Sequence, residues 1–213
     1  NDPSRLMQAL HIPDEEIWKA HQAAKMKLLA FVLEETGQQL DPDVLTIGFA
    51  RRAATYKRAD LVFSDIRRLL EIGKGKVQFV FSGKAHPHDE PGKDILQKIN
   101  RIAKELGAEL PVVFIENYNM GPAKFITSGV DIWLNTPIRP REASGTSGMK
   151  CVHNGVMNFS VLDGWWIEGC IEGRTGWAIG PEPTENGMVE YNEAEDAVDL
   201  YNKLEEKIIP AYY

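Results

Sequence analysis

Apolar and polar positions run along this chain in two rhythms. Over residues 14–35, Ile17, Ala20, Ala24, Leu28 and Phe31 recur at three- and four-residue spacing. That period predicts an amphipathic helix, with Asp14 placed to cap it and Gly37 to end it. After Pro42 the rhythm changes to short, unbroken apolar runs at residues 44–49, 77–81, 112–115 and 130–134. Runs of that length predict strands buried on both faces, as in a parallel sheet. Helical patterns separate them at residues 60–72, 93–106 and 122–127. Residues 158–162 and 177–179 predict two further strands, and residues 193–209 a closing helix.

Strands alternating with helices at this spacing predict an α/β fold with a doubly wound parallel sheet. Ligands of such sheets sit beyond the carboxyl ends of the strands. The loops that follow the first four predicted strands span residues 51–57, 82–88, 116–120 and 135–146, so one rim is expected to carry one site. No internal repeat, low-complexity tract or flexible linker interrupts the 213 residues.

A formal net charge of −7 argues against nucleic acid or an anionic membrane as partner, while leaving room for a local cluster of cations around a phosphate. Two cysteines, Cys151 and Cys170, are too few for a disulfide framework and suit a reducing compartment. No targeting segment is visible at Asn1–Ser4, and no apolar stretch is long enough to span a bilayer. A cytoplasmic location is the expectation.

The densest chemistry lies in Arg141-Glu142-Ala143-Ser144-Gly145-Thr146-Ser147-Gly148-Met149-Lys150. Its glycines and hydroxyls suit a helix start whose unpaired backbone N–H groups favour an anion. Lys150 follows Thr146 by four residues and so shares its helix face. An anion cradle with an amine one turn away suits a phosphorylated aldehyde. A helical lysine is ordinarily just solvated, and a Ser-Gly pair before a helix is ordinarily just a cap.

Arg51, Arg52, Lys57 and Arg58 place four cations within eight residues after the first strand, either as a basic surface or as counter-charges for phosphate. The run His86-Pro87-His88-Asp89-Glu90 has metal-like spacing but lacks a further ligand set, so no metal is expected. His153 and Asp131 read as structural residues.

Taken with Asn117-Tyr118 and the Arg51-Arg52…Tyr56-Lys57-Arg58 segment, the 142–150 run resembles the glycogen and α-glucan phosphorylases. The likeness covers nearly the whole chain. Trp133, Pro137, Trp165-Trp166 and Ser147-Gly148 resemble the shorter bacterial and archaeal members in particular. It implies the Rossmann-like C-terminal catalytic lobe of a two-lobed, GT-B type glycosyltransferase. Residues 1–38 would be a leading helical segment from the inter-lobe region, and residues 39–213 the cofactor- and phosphate-binding lobe.

It further implies pyridoxal phosphate as cofactor, tethered as an imine on Lys150, with Arg51, Tyr118, Thr146 and Ser147 around it. Arg52 and Lys57 would hold substrate phosphate, and with Lys150 form the catalytic set. Glu142, Ser144 and Gly145 would grip the sugar. Two positions depart from the commoner family pattern: Arg51 stands where lysine is usual, and Asn119 where the long enzymes carry arginine.

The implied activity is phosphorolysis of terminal glucosyl units of an α-1,4-glucan by orthophosphate, giving α-glucose 1-phosphate with retention. The partners would be the glucan, orthophosphate, an N-terminal lobe of the same chain and, in the full length, a second copy as a homodimer. The fragment alone is expected to be inactive. Two other readings fit the residues: a nucleotide-sugar-dependent retaining glycosyltransferase lobe, and a non-catalytic sugar-phosphate-binding domain.

Overall fold

A computed structural model describes residue 7, residues 9–182 and residues 192–213. The first six residues and residue 8 of the expected leading segment lie outside the described residues. The elements are α1 (Asp14–Thr36), β1 (Leu45–Ala50), α2 (Ile66–Gly73), β2 (Val77–Ser82), α3 (Glu90–Leu106), β3 (Val112–Ile115), α4 (Met120–Gly129) and β4 (Ile132–Asn135). There follow α5 (Thr146–Val152), β5 (Met157–Val161), α6 (Trp166–Gly169), β6 (Gly176–Ile179), α7 (Glu193–Lys203) and α8 (Ile209–Tyr212), the last two joined by a π-type turn.

All six strands pair in parallel, in the order β3-β2-β1-β4-β5-β6. This is the doubly wound α/β fold that the strand–helix alternation predicts. The direction of winding reverses between β1 and β4, and a reversal of that kind leaves a crevice at the carboxyl ends of the two strands.

Successive side chains of a strand point to opposite faces, and here both faces are buried. Leu45, Ile47, Phe49, Phe79, Phe81, Ile132, Leu134, Phe159 and Val161 join the core beneath α2, α3 and α7. Ala50, Val80, Val113, Ile115 and Trp133 join the opposite core with Leu28, Leu29 and Val32 of α1 and Ile126 of α4. Burial on both sides is why the strands read as unbroken apolar runs.

Several expectations about boundaries are corrected. Pro13, not Asp14, occupies the cap of α1 and makes no side-chain bond, while Gly37 closes the helix with its N–H on the Leu33 carbonyl at 2.9 Å. Ile17 is exposed, so the stripe α1 buries is Lys25, Leu28, Leu29 and Val32. Residues 60–72 split into a 3-10 turn and α2, because the Asp65 carboxylate accepts the Arg68 N–H and starts a new helix. α6 begins at Trp166 with Trp165 at its cap, a short helix that the apolar pattern does not predict.

Strand β4 begins two residues later than expected because Asp131 is committed elsewhere. Its carboxylate accepts from Lys25 Nζ, His21 Nε2 and the Thr46 N–H, each at 2.7 Å. Lys25 is fully buried and also donates to the Val44 carbonyl and the Tyr212 hydroxyl. This network staples α1, β1, β4 and α8 together at the amino edge of the sheet. Asp131 is structural there, and a cavity of about 550 Å³ beside it is lined by Trp18, His21 and Tyr212. The charged residues of the predicted site lie at the opposite, carboxyl edge.

Candidate active site at the carboxyl rim

Arg51 is the first residue past β1, and its backbone is fixed from the neighbouring strand: its N–H donates to the Ser82 carbonyl at 3.1 Å, and the Ala53 N–H to Lys84 at 2.9 Å. From the other side, Ile138 N–H donates to the Tyr56 carbonyl at 2.7 Å, and the Thr136 hydroxyl reaches the carbonyls of Lys57 and Arg58. The cation-rich loop is thus clamped between the loops after β2 and β4, at the winding reversal.

Three of the predicted site residues meet there. Arg51 grips Glu142 with both ends of its fork, Nη1 to Oε2 at 2.6 Å and Nη2 to Oε1 at 2.9 Å. Lys57 Nζ donates to Glu142 Oε2 at 3.1 Å. All three side chains are less than a tenth exposed. Burial pushes the Glu142 carboxyl up, but the hydrogen bonds and charge of Arg51, together with Lys57, outweigh it and hold the group below the ordinary carboxylate range. Bidentate, charge-assisted pairs of this kind are the strong ones.

Asn135, the last residue of β4, supports the pair from the sheet. Its Oδ1 accepts from Arg51 Nη1 and its Nδ2 donates to Ser160 Oγ at 3.0 Å. Asp163, just past β5, holds the loop that carries Glu142: its carboxylate accepts the Glu142 N–H at 2.8 Å and the Gly164 N–H at 2.9 Å. The Trp165 N–H then donates to the Ser144 carbonyl at 3.0 Å. Sequence reading missed both polar supports; the signal available for Asn135 was a lone amide closing the apolar run Ile-Trp-Leu.

Two glycines let the loops approach. Gly164 has φ 57°, and a Cβ there would lie 2.9 Å from the Ser144 carbonyl oxygen. Gly145 has φ 80° at the cap of α5, and a Cβ there would press on the Trp165 ring at 3.0 Å. Only glycine adopts such backbone without strain. α5 therefore starts where predicted. The N–H groups of Thr146 and Ser147 find no acceptor among the described residues.

Thr146 and Lys150 share an exposed face of α5, and the Lys150 ammonium pairs with no acceptor among the described residues. Ser144 is exposed on the loop. Tyr118 is half-buried against the α1–α4 core, its hydroxyl pushed up by burial, with Arg51 opposing and Cys151 adding to the rise.

The four cations divide. Arg52 is exposed; burial pushes the Tyr56 hydroxyl up, but the charge of Lys57, with Arg52 adding to it, outweighs burial and brings it below its ordinary value. Arg58 is buried and donates to the carbonyls of Thr136 and Pro137 and, at 2.6 Å, to Asp196 of α7. That makes Arg58 a structural tie, outside the cluster. His86 and His88 are exposed, and Asp89 caps α3 by accepting the Gly92 N–H. No trio of His, Cys, Asp or Glu among the described residues is arranged to hold a metal.

Clamped, buried cations and the start of α5 thus crown the winding reversal of a parallel α/β lobe. Residues 9–181 match the sequence model of the carbohydrate phosphorylases, and the chain belongs to that family. Among curated relatives, the chain is 46% identical to maltodextrin phosphorylase of Thermococcus litoralis, an alignment covering 95% of this chain and 26% of that protein. It is 43% identical to glycogen phosphorylase of Aquifex aeolicus, over 95% of this chain and 31% of the relative. Glycogen phosphorylase of Mycobacterium tuberculosis is 41% identical over 81% of this chain and 20% of its own length. The chain therefore spans about a quarter to a third of the first two relatives. No helix among the described residues is long and apolar enough to cross a membrane.

Proposed function

We propose that this chain is the phosphate- and cofactor-binding lobe of an α-1,4-glucan phosphorylase, which transfers terminal glucosyl units to orthophosphate with retention. One observation carries the reading: the loop that ends in the exposed Lys150 also delivers Glu142 into a buried cluster with Arg51 and Lys57. An amine, an anion-binding helix start and fixed cations then converge on one rim.

These residues fit pyridoxal phosphate. Lys150 offers an amine not committed to any acceptor among the described residues, Thr146 and Ser147 offer backbone N–H donors, Arg51 offers positive charge, and Tyr118 an aromatic wall. When bound, the cofactor supplies a phosphate whose second pKa of about 6 lets it hold or release a proton near neutrality. Arg52 and Lys57 orient orthophosphate, and Arg51 offsets the repulsion between the two phosphates. Orthophosphate gives its proton to the departing glycosidic oxygen, and its own oxygen then closes on the anomeric carbon from the same face. Glu142 and Ser144, with the Gly145 backbone, hold the sugar hydroxyls meanwhile.

The remaining lobe of a two-lobed enzyme would close the crevice over the glucan. The isolated 213-residue chain is accordingly expected to form no measurable glucose 1-phosphate. The cofactor assignment is tested by treating the chain with pyridoxal phosphate and borohydride, then mapping the labelled peptides. Label concentrated on Lys150, and lost in Lys150→Ala, is the expected result. Label scattered over surface lysines and undiminished by the substitution would overturn it, and saturable binding of a nucleotide sugar would favour the glycosyltransferase reading.

A further inference from the structure

The helix that bears Lys150 has seven residues, too few for much stability of its own. α5 buries only Gly148 and Cys151, so what those two residues rest on fixes its angle. Cys151 sits in the core with α1 and α4. Gly148 rests on Asn158 of β5, whose Nδ2 donates to its carbonyl at 3.3 Å, and on the indole of Trp165.

That indole is a wedge between two helices. Its N–H edge faces α5: a Cβ on Gly145 would lie 3.0 Å from Cδ1, and one on Gly148 3.1 Å from Nε1. Its opposite edge faces α6, where a Cβ on Gly169 would lie 2.6 Å from Cε3 and would run into Cζ3. The Trp165 backbone N–H is bonded to the Ser144 carbonyl at 3.0 Å. The buried Trp166 ring stands edge-on to the indole, with ring centres 5.2 Å apart. Glycine at all three positions lets two backbones close on a large ring that has only two side-chain torsions of its own.

Resting on the proposed reading of the site, we infer that Trp165 is a positioning residue. Its indole sets the angle of α5, and thereby where the Lys150 amine stands relative to the cluster of Arg51, Glu142 and Lys57. Its backbone holds Ser144 at the same time, so one residue fixes both the cofactor side and the sugar side of the rim. It acts through Lys150 and Ser144 and not on a ligand. A site of this kind needs its groups held within about 0.5 Å, and the indole lies directly against the helix that must be held.

The test titrates the 213-residue chain with pyridoxal phosphate, reads label on Lys150 after borohydride by peptide mapping, and takes the half-saturating concentration. Trp165→Ala should raise that concentration about tenfold, short of the roughly hundredfold that a misplacement of about 1 Å can cost. Gly169→Ala should raise it too, because the three nearest atoms its methyl would meet all belong to Trp165, which passes the push to α5. In the double variant Gly169→Ala should add nothing, since the ring that transmits it is gone. Leu106→Ala lies in the core on the other side of the sheet from α5. It should lower the melting temperature comparably, yet leave half-saturation within about twofold.

Half-saturation of Trp165→Ala within about twofold of wild type overturns the inference, and so does an equal rise in Leu106→Ala. A Gly169→Ala effect that persists without the indole overturns it as well. If Trp165→Ala does not fold, Trp165→Phe, which removes the N–H edge, and Gly169→Ala decide instead: wild-type behaviour of both overturns it. Label concentrated on Lys150 but indifferent to the indole removes only the positioning role. No preference for Lys150 in the wild-type chain takes the phosphorylase-lobe reading away with it.

Discussion

Replacing Asp163 tests whether the Glu142 loop is held from below by a single carboxylate. Asp163 is buried and accepts two backbone N–H groups, that of Glu142 in a fully buried bond and that of Gly164 in a partly buried one. Hydrogen bonds to a charged group contribute about 1.5–3 kcal/mol each, and a buried donor left without a partner costs about 1–3 kcal/mol. Asp163→Ala strands the Glu142 N–H, whereas water can reach Gly164, so the loss should be about 2–4 kcal/mol.

Asp163→Asn keeps one acceptor oxygen for Glu142 and turns its NH2 toward the wetter Gly164, so about half that loss is expected. Urea unfolding followed by far-ultraviolet circular dichroism gives both values. With a slope near ~3 kcal/mol per molar urea, the Ala midpoint should fall by roughly 1 M at unchanged slope. An Ala variant within about 0.5 kcal/mol of wild type, the scatter expected at an ordinary surface site, would refute the reasoning. So would an Asn variant less stable than the Ala variant.

Three further outcomes follow from named contacts. Asp131→Ala should destabilise by about 3–5 kcal/mol, because it leaves the Lys25 ammonium buried without its counter-ion, and Lys25→Met should restore much of that in the double variant. Urea midpoints of the two single variants and the double variant check it. Glu142, held below its ordinary pKa, contributes stability that is present above about pH 4.5 and lost as pH falls through the lowered folded value. Glu142→Gln should therefore flatten the acid limb of a stability–pH profile measured by thermal melting. Arg58→Met should cost about 1–3 kcal/mol, because it leaves the buried carbonyls of Thr136 and Pro137 without their donor while Asp196 keeps its pair with Arg139, whereas exposed Arg52→Ala should stay within about 0.5 kcal/mol, a contrast read from the same melts.

Much of the fold was legible because parallel strands buried on two faces cannot hide: Ile47, Phe49, Phe79 and Phe81 leave unbroken apolar runs. Boundaries slipped where a polar side chain, rather than periodicity, sets the end. Asp65 restarts a helix inside one apolar pattern, and Asp131 is withdrawn from β4 by partners 85 to 110 residues away. The Thr146–Lys150 spacing was readable because it lies within one helical turn. The meeting of Arg51 with Glu142 spans 91 residues, and that of Glu142 with Asp163 another 21, across loops that only the strand order brings together. A sequence shows such residues as separate polar positions, so nothing in it marks Asn135 and Asp163 as supports of Arg51 and Glu142.

The two edges of the sheet both bury charge, and the difference between them supports placing the proposed phosphate site at the carboxyl rim. At the amino edge, Lys25 spends all three of its N–H donors on Val44, Asp131 and Tyr212. Nothing is left for a newcomer, so that network can only hold the fold together. At the carboxyl rim, Lys57 spends one of its three donors and Arg51 three of its five among the described residues. These cations are positioned as firmly as Lys25 but are under-used. An under-used, immobile cation at a winding reversal gains from an anion without reorganising to meet it, which is the condition for electrostatic preorganisation. The same chemistry of buried charge thus produces a staple where donors are exhausted and, on the proposed reading, a receptor where they are held in reserve.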